Sequence, residues 1–259
     1  SLLNQIRLNN DTQGAIDAIN QACFHGGDDR GDAGSLHLVP TNGNAQSIND
    51  QRLDAIDAPL MKFDATSTGR INLQNEHFQA PHVLKLKLGA QVLFVKNNAP
   101  DWMNGTIGQV VHIGEDRIRV EIAPTGNVVD VERETWERIE YAYDCAKQRL
   151  QPKVVGTYTQ FPLRLGWAIT IHKSQGMTLD AAEMDLSACF EPGQGYVALS
   201  RLRDLQGLRL LGMNEMALRL DSLAVKADAR FLALSEQTEA EWLARGPSAA
   251  QTEADAFIL

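Results

Sequence analysis

The chain has 259 residues with a formal net charge of −9 at pH 7, and 44% of its residues are hydrophobic and 22% charged. This composition is typical of a soluble globular protein with one large or two smaller domains. It argues against a general nucleic-acid coat protein, because lysine and arginine drive phosphate binding. It also argues against a membrane protein, because no apolar run reaches the roughly 20 residues that span a bilayer.

Neither the cysteines nor the acidic residues predict a metal site. Cys23, Cys145 and Cys189 are odd in number and widely spaced, so they indicate free thiols rather than a disulfide framework or a zinc site. No predicted strand ends in paired acidic residues that would hold Mg²⁺. The first residues lack a signal-peptide pattern, so we expect a cytoplasmic protein with no membrane contact and no metal site of its own.

The N-terminal third predicts a helix, a linker and a βα unit. Residues 1–34 have helical spacing followed by a Gly/Asp-rich loop, which indicates a helical remnant of a preceding domain and a linker. Leu36–Val39 is typical of a buried strand, and a polar turn then leads into a helix over 44–56. Ligands of open α/β sheets bind at such turns, beyond the carboxyl ends of strands. The alternative is that Asn42 or Asn44 only caps the helix.

From about residue 58 to residue 140 the pattern changes to short alternating strands with turns between them. Four or five such strands within about 55 residues predict a small β-barrel. Beyond it, a strand at 154–161 is expected to return to the main sheet, and 163–172 is expected to be helical. A strand at 208–211 and a helix at 221–235 follow. Residues 236–259 are interpreted as an acidic tail, poorly ordered after Leu243.

The stretch 166–201 contains the densest group of polar motif residues. An amphipathic segment ends in the loop Lys173-Ser174-Gln175-Gly176, and a short apolar strand candidate follows at 181–186. Pro192-Gly193 then opens a helix that ends in Ser200-Arg201. A donor-rich loop before a strand, and a helix that ends in arginine, are features with which α/β proteins bind phosphate.

The segment TIHKSQGMTLD, with GQGYVALSRLRDLQGLRLL about twenty residues further on, resembles the last two signature motifs of superfamily 1 DNA helicases. The resemblance is to superfamily 1B, the branch that holds RecD and the PIF-type helicases. LHLVPTNGNAQSINDQRL, LKLGAQVLFVKN and WMNGTIGQVV extend it over roughly residues 36–213.

The resemblance implies an α/β fold, namely the second RecA-like helicase domain with a parallel sheet, in the C-terminal half of a helicase. This domain would comprise 35–83 and 150–235, and an inserted Src-homology-3-like β-barrel would occupy 84–149. The typical NGTxGxV turn of that barrel is present at 104–110. No P-loop is present, because His172 precedes the only candidate Lys-Ser where the motif requires glycine.

The resemblance also implies roles for individual residues. Arg201 matches the arginine of the last motif, which makes it the expected catalytic arginine finger. The alternative is that Arg201 closes its helix or pairs with Asp204. Residues expected to contact ATP are Gln175, Gly176, Gln194 and Arg201. Residues expected to contact nucleic acid are Thr41, Asn42, Thr170, His172, Lys173 and Ser174.

Residues 145–179 contain five basic residues and no acidic one: Lys147, Arg149, Lys153, Arg164 and Lys173. Tyr158, Phe161 and Trp167 lie between them. Cations interleaved with aromatic rings suit a single strand with unstacked bases. The alternative is a solvated basic surface above aromatic residues of the core.

The implied function is that of an ATP-dependent DNA helicase moving 5′ to 3′. Its expected partners are single-stranded DNA and an N-terminal ATPase domain of the same protein, which would supply most ligands of Mg²⁺-bound ATP. We expect a monomer, and we expect this chain alone to be inactive. The alternative is a non-catalytic nucleic-acid-binding or protein adaptor that retains the helicase fold, and the lack of a P-loop favours it if the natural protein begins at Ser1.

Overall fold

The computed structural model describes residues 14, 17–19, 21, 36–71, 78–123, 125–144 and 149–246. Residues 14, 17–19 and 21 are helical. The helices of the remaining described residues are α1 (Asn42–Asp54), α2 (Gln194–Leu199) and α3 (Ser222–Arg245). The strands are β1 (Leu36–Val39), β2 (Met61–Asp64), β3 (Thr66–Gly69), β4 (Val83–Leu86), β5 (Gln91–Phe94), β6 (Ile107–Ile113), β7 (Ile118–Ile122), β8 (Val128–Val131), β9 (Glu134–Asp144), β10 (Arg149–Gln160), β11 (Leu163–Leu165), β12 (Ala168–Thr170), β13 (Ala182–Leu186) and β14 (Leu208–Met213).

A four-stranded parallel sheet with the order β12-β1-β13-β14 forms the centre of the fold. One face of β1 and β13 packs into an apolar core through Leu36, Leu38 and Met184, none of which is exposed. On the other face, Ala45 of α1 packs against β1 and β12. Parallel sheets need such cover on both faces. The predicted parallel sheet is confirmed, and so are its strands β1, β13 and β14.

Helix α1 begins two residues earlier than predicted. The N-cap is Thr41, whose hydroxyl accepts the backbone N–H of Asn44 at 3.2 Å. Asn42 and Asn44 lie within the first turn, so the capping roles considered for them are wrong. Thr41 has the extended backbone that an N-cap needs, and this explains why it takes the role.

The inserted strands form an open antiparallel sheet with the order β11-β5-β6-β7-β8. Its core includes Phe94, Val110 and Val120. A closed barrel is not found among the described residues, so the predicted barrel is not confirmed. Among the described strands, β8 pairs only with β7, and β9 lies in a different sheet. The edge strands β11 and β8 therefore do not pair with each other.

The strand predicted at 154–161 does not return to the parallel sheet. It belongs to β10, which pairs antiparallel with β3 and with β9 in a separate three-stranded sheet. The reason lies in its alternation, since Tyr158 and Gln160 are buried while threonines lie between them. Such alternation suits a sheet with one exposed face, where the hydroxyls of Thr157 and Thr68 lie 2.7 Å apart.

The helix predicted at 163–172 is wrong, because this segment forms β11 and β12. Gly166 lies between them, and a Cβ there would be 2.6 Å from the carbonyl carbon of Val92. The Gln91 side chain donates to the oxygen of Gly166 at 2.8 Å, and the Gly166 N–H donates to the Gln91 backbone oxygen at 2.9 Å. Pairing of β11 with β5 and of β12 with β1 thus overrides local helix propensity.

Helix α3 continues through residues 236–245, where the acidic tail was expected to begin. Asp221 caps it by accepting the N–H groups of Leu223 and Ala224 at 2.8 and 2.9 Å. The added turns are rich in Glu, Gln and Ala, which favour helix, and Gln237 donates to Glu241 at 2.8 Å. Residues 247–259 and most of 1–34 lie outside the described residues. Of the helices that are described, even the longest is not apolar enough to cross a bilayer.

Candidate functional site

Two polar loops lie side by side at the carboxyl edge of the parallel sheet. Thr41 follows β1, and a 3-10 turn at His172–Ser174 follows the neighbouring strand β12. The Ile171 N–H donates to the oxygen of Val39 at 3.0 Å, which keeps the two strand ends in register. This edge is where open α/β sheets bind ligands.

The loop after β12 is held in shape by its own hydroxyl groups. Ser174 is fully buried, and its hydroxyl donates to the oxygen of Ile171 at 2.7 Å. The Thr170 hydroxyl accepts the Lys173 N–H at 3.4 Å and is also buried. By contrast, the side chains of His172 and Lys173 are exposed. His172 Nε2 lies 3.5 Å from a carboxylate oxygen of Glu191.

Lys173 lies close to a second cation. Partial burial, and then the charge of Arg164, lower the pKa of Lys173 below its ordinary value. Burial also lowers the pKa of Arg164. Neither side chain has an acidic partner among the residues described. Two positive charges without counter-ions favour an anion at this position.

Gln194, at the start of α2, is 3% exposed and offers an unused donor. Its side-chain oxygen accepts the N–H groups of Phe190 at 3.0 Å and Glu191 at 3.5 Å. Its Nε2 is buried and has no hydrogen-bond partner among the residues that the structure describes. A buried unsatisfied donor costs about 1–3 kcal/mol, so an acceptor oxygen nearby would be stabilised. Gln175 and Gly176 are exposed in the loop opposite α2.

Arg201 lies just beyond the end of α2, and the described contacts of its guanidinium are all with neutral groups. Nε donates to the oxygen of Val197 at 3.0 Å, Nη2 to the Ser200 hydroxyl at 2.8 Å, and Nη1 to the oxygen of Met177 at 3.5 Å. Asp204 does not pair with it and instead accepts the N–H of Gln206. The contact with Val197 agrees with a helix-closing role, and the half-buried charge remains without a carboxylate among described residues.

Close packing fixes the position of α2. A Cβ at Gly195 would be 2.2 Å from the oxygen of Ala217, so the helix lies directly on the 3-10 turn Glu215–Leu218. Ala198 and Leu199 are buried in the core below the parallel sheet. The Leu179 N–H donates to the oxygen of Arg201 at 2.8 Å, which brings the helix end beside the segment that follows the β12 loop.

The aromatic residues of the basic stretch belong to the core. Tyr158 and Phe161 have no exposed surface, and Trp167 is 8% exposed. Tyr158 stacks on Phe78 with ring centroids 4.0 Å apart, and its hydroxyl donates to the oxygen of Ala80. Burial raises the pKa of Tyr158 to about 12. These rings are therefore not available to bases, and the alternative of core aromatic residues is confirmed.

Sequence reasoning did not identify two buried polar residues near the site. Asn49 of α1 donates to the oxygen of Ala168 at 2.7 Å and accepts its N–H at 3.0 Å, which closes the edge of β12. Glu183 of β13 contacts His37 at 3.0 Å and Arg209 at 2.9 Å. In the sequence, each could have been noticed only as a polar residue at a position of its helix or strand that is expected to face the core.

The sequence is similar to those of known DNA helicases. Residues 71–113 match the family model "DNA helicase Pif1, 2B domain". A Psychrobacter protein named "ATP-dependent DNA helicase Pif1" is 35% identical in an alignment that covers 92% of this chain and 43% of that protein. Human "ATP-dependent DNA helicase PIF1" is 38% identical over 67% of this chain and 26% of its own length. The chain thus spans under half the length of these relatives.

The fold is also similar to that of solved Pif1 structures. Bacteroides Pif1 in complex with ADP-AlF4 superposes with a TM-score of 0.78 at 27% identity, over 90% of this chain and 53% of that one. Bacteroides Pif1 bound to ssDNA superposes with a TM-score of 0.62 at 28% identity, over 91% and 53%. The parallel sheet is therefore that of a RecA-like α/β helicase fold. In sequence over most of its length and in fold, the chain is thus similar to DNA helicases of the Pif1 family.

Proposed function

We propose that the chain supplies the second RecA-like domain, in the C-terminal half, of an ATP-dependent DNA helicase. The observation that carries this proposal is the position of Arg201. Its guanidinium lies beside the loop after β12 and has no carboxylate partner in the described part of the chain. The relatives' names, and the ADP-AlF4 and ssDNA complexes of Bacteroides Pif1, support the same activity.

On the nucleotide side, Arg201 would act as an arginine finger. Charge develops on the γ-phosphoryl group during transfer, and an arginine placed there raises the rate by roughly 10³–10⁵. The unused donor of Gln194 fits an acceptor-rich group such as a phosphate. Gln175 and Gly176 are exposed and would face the nucleotide. Bound Mg²⁺ would neutralise phosphate charge, and its ligands would come mostly from elsewhere, since the described residues hold no cluster that could bind a metal.

For contact with single-stranded DNA, we infer that the six predicted residues have different roles. His172, Lys173 and Asn42 are exposed and would reach the phosphates of single-stranded DNA. Thr170 and Ser174 would mainly hold the loop in shape, because their hydroxyls are buried and bonded to the loop itself. Thr41 would contact the strand while its hydroxyl caps α1.

One continuous segment connects the expected DNA contacts with the expected nucleotide contact. Lys173 begins the loop, and Met177 ends it with its oxygen facing Arg201. A movement of Arg201 towards a nucleotide would therefore pull on the residues that hold the strand. This connection supports the coupling of ATP hydrolysis to strand movement, for which 5′ to 3′ polarity is our expectation.

The remaining half of the site would come from an ATPase domain with a P-loop, because this chain contains none. The open sheet β11-β5-β6-β7-β8 would be the core of the inserted Src-homology-3-like domain. We infer a cytoplasmic monomer. The adaptor without catalysis remains the second candidate.

The test compares this chain alone with a protein that joins it to its P-loop domain. The joined protein should hydrolyse ATP, faster with a single-stranded oligonucleotide, and should separate a duplex with a 5′ tail. The chain alone should show no turnover above a buffer blank. Turnover by the repurified chain alone would contradict the proposal that this chain supplies only half of the ATP site. A joined protein that binds single-stranded DNA but does not hydrolyse ATP would favour the adaptor.

A further inference from the structure

A turn of the inserted sheet, residues 103–106, contacts the loop after β12. Gly105 in this turn has a φ of +96°, and a Cβ added there would be 2.9 Å from Cε of Met177 and 3.3 Å from its Cγ. The Met177 side chain is 4% exposed. Leu93 of β5 and Ile107 of β6 pair with each other and pack into the same core as Met177. The inserted sheet therefore lies directly against the last residue of the loop.

Hydrogen bonds attach the 103–106 turn to its own sheet. The Gly105 N–H donates to the oxygen of Phe94 at 2.9 Å, and the Phe94 N–H donates to the oxygen of Thr106 at 2.9 Å. The Thr106 hydroxyl accepts the N–H of Met103 at 3.1 Å. Because these bonds connect the turn to β5, the turn and the inserted sheet form one rigid unit.

Met177 in turn contacts the segment that contains Arg201. Its backbone oxygen accepts Nη1 of Arg201 at 3.5 Å, and its N–H donates to the oxygen of Ser174 at 3.0 Å. Two residues further on, the Leu179 N–H donates to the oxygen of Arg201 at 2.8 Å, and the Arg203 N–H donates to the oxygen of Leu179 at 3.0 Å. A displacement of Met177 would therefore move both the backbone and the guanidinium of Arg201.

We propose that Gly105 and Met177 position Arg201 for ATP hydrolysis, so that the inserted sheet controls turnover through this contact. Position 105 must lack a side chain, because Met177 occupies the space beside it. Protein interiors are close-packed, so a displaced Met177 has to move its neighbours. Misplacing a catalytic group by about 1 Å costs roughly 10² in rate. The inference rests on the proposed function and adds the inserted sheet as a regulator of Arg201.

The first test compares two glycines in a protein that joins this chain to a P-loop domain. Gly105→Ala adds a methyl group against Met177, whereas Gly89→Ala, at a φ of +84° just before β5, meets no atom of the described residues within 4 Å. Both substitutions carry comparable backbone strain. Gly105→Ala should lower kcat roughly tenfold. The KM for ATP should stay unchanged, because the arginine acts in the transition state. Gly89→Ala should keep normal turnover.

Substitutions at Met177 separate the contact from the backbone strain at residue 105. Met177→Ala removes Cγ and Cε and leaves its Cβ 3.4 Å from the added methyl group, an ordinary contact distance. In that background, Gly105→Ala should lower kcat by less than about twofold, because the interaction between the two side chains is gone. Met177→Leu keeps a similar volume and should keep kcat within about threefold of the original. An equal loss from Gly105→Ala in both backgrounds would overturn the proposal.

Amide hydrogen exchange of this chain alone provides a readout that does not need ATP. The amides of Leu179 and Arg203 should exchange several-fold faster in Gly105→Ala and at the original rate in Gly89→Ala, because local opening determines exchange. Amides of β10, in a separate sheet, report on global folding and should be unchanged in both variants.

The possible failures are distinguishable. Unchanged exchange at Leu179 and Arg203, or normal turnover of Gly105→Ala, would overturn this inference and leave the proposed function in place. Absence of turnover in the original joined protein would refute the proposed function and, with it, the control of hydrolysis by the inserted sheet.

Discussion

The side-chain amide of Asn49 pairs with both backbone groups of Ala168, donating at 2.7 Å and accepting at 3.0 Å. Ala168 begins β12, the edge strand of the parallel sheet, and β12 leads directly into the loop with Lys173. One helix side chain thus completes the sheet edge and fixes where the loop starts. Backbone groups at a buried edge need such a partner, because an unpaired one is costly.

Asn49→Ala should therefore reduce the free energy of unfolding by about 2 kcal/mol, since the two Ala168 groups lose their partners. Urea denaturation followed by circular dichroism measures this loss. Gln46→Ala on the same helix is the matched control, because the exposed Gln46 side chain donates to Asp50 and has no other hydrogen bond in the described part of the chain. The control should change stability by less than about 0.5 kcal/mol. Equal effects of the two substitutions would contradict the role of Asn49.

Gly166→Ala should be among the most destabilising small substitutions. Its new methyl group would lie 2.6 Å from the Val92 carbonyl carbon, so β5 and β11 would have to separate. The expected loss is about 3 kcal/mol. Gly43→Ala in α1 is the control, because no atom of the described residues lies within 4 Å of its added methyl group. Helix propensity then predicts a gain of about 0.5–1 kcal/mol, and thermal melting of both variants checks the contrast.

The buried phenol of Tyr158 predicts a dependence of stability on pH. Its pKa is about 12 in the folded chain and about 10 when unfolded. Because the folded pKa is raised, the stabilisation is complete below pH 10 and is lost as pH rises towards 12. Tyr158→Phe removes the titrating group and should lose less stability over that range. Denaturation at pH 8, 10 and 11.5 measures it, and parallel declines in the two proteins would contradict the assignment.

Lys173→Ala should weaken binding of single-stranded DNA and reduce the slope of log affinity against log salt by about one, since one phosphate contact is lost. The measurement is anisotropy of a labelled strand between 50 and 200 mM salt, roughly the range over which such slopes are steep. Lys226→Ala on α3 removes an exposed lysine far along the chain and should leave the slope unchanged. A slope unaffected by Lys173→Ala would mean that this lysine is only solvated.

Much of the parallel sheet was predictable because its signals are local. Leu36–Val39 is a short apolar run before a polar turn, and helical spacing follows it. The helix predicted over 163–172 failed because its partners lie far away in sequence. β11 pairs with β5 and β12 with β1, and neither partner strand can be inferred from the residues of the segment itself. Long-range pairing commonly overrides local propensity in this way.

The candidate site was predictable as a set of motif residues but not as a geometry. The motifs identify Thr170, Ser174 and Arg201, whereas only the structure shows that the first two face inwards. The aromatic residues show the same limit. Tyr158 is buried because Phe78 stacks on it, while Tyr141 of β9 stays exposed. Such differences depend on which neighbours are present, and a linear pattern does not contain them.

The role of Arg201 is tested in a protein that joins this chain to a P-loop domain. Arg201→Ala should reduce ATP hydrolysis by roughly 10³–10⁵ and leave strand binding unchanged. Arg201→Lys should rescue poorly, because a point charge lacks the planar two-pronged contact of a guanidinium. Arg203→Ala is the control, since Arg203 is exposed and paired with Asp180, and it should keep normal turnover.

The most direct measurement is turnover and melting temperature of Arg201→Ala on one preparation. We expect a near-complete loss of turnover with a melting temperature lowered by only about 2–4 °C, because losing the partly exposed contacts to Val197, Ser200 and Met177 should cost about 1 kcal/mol in total. Normal turnover together with a lowered melting temperature would contradict it, and Arg201 would then only close α2.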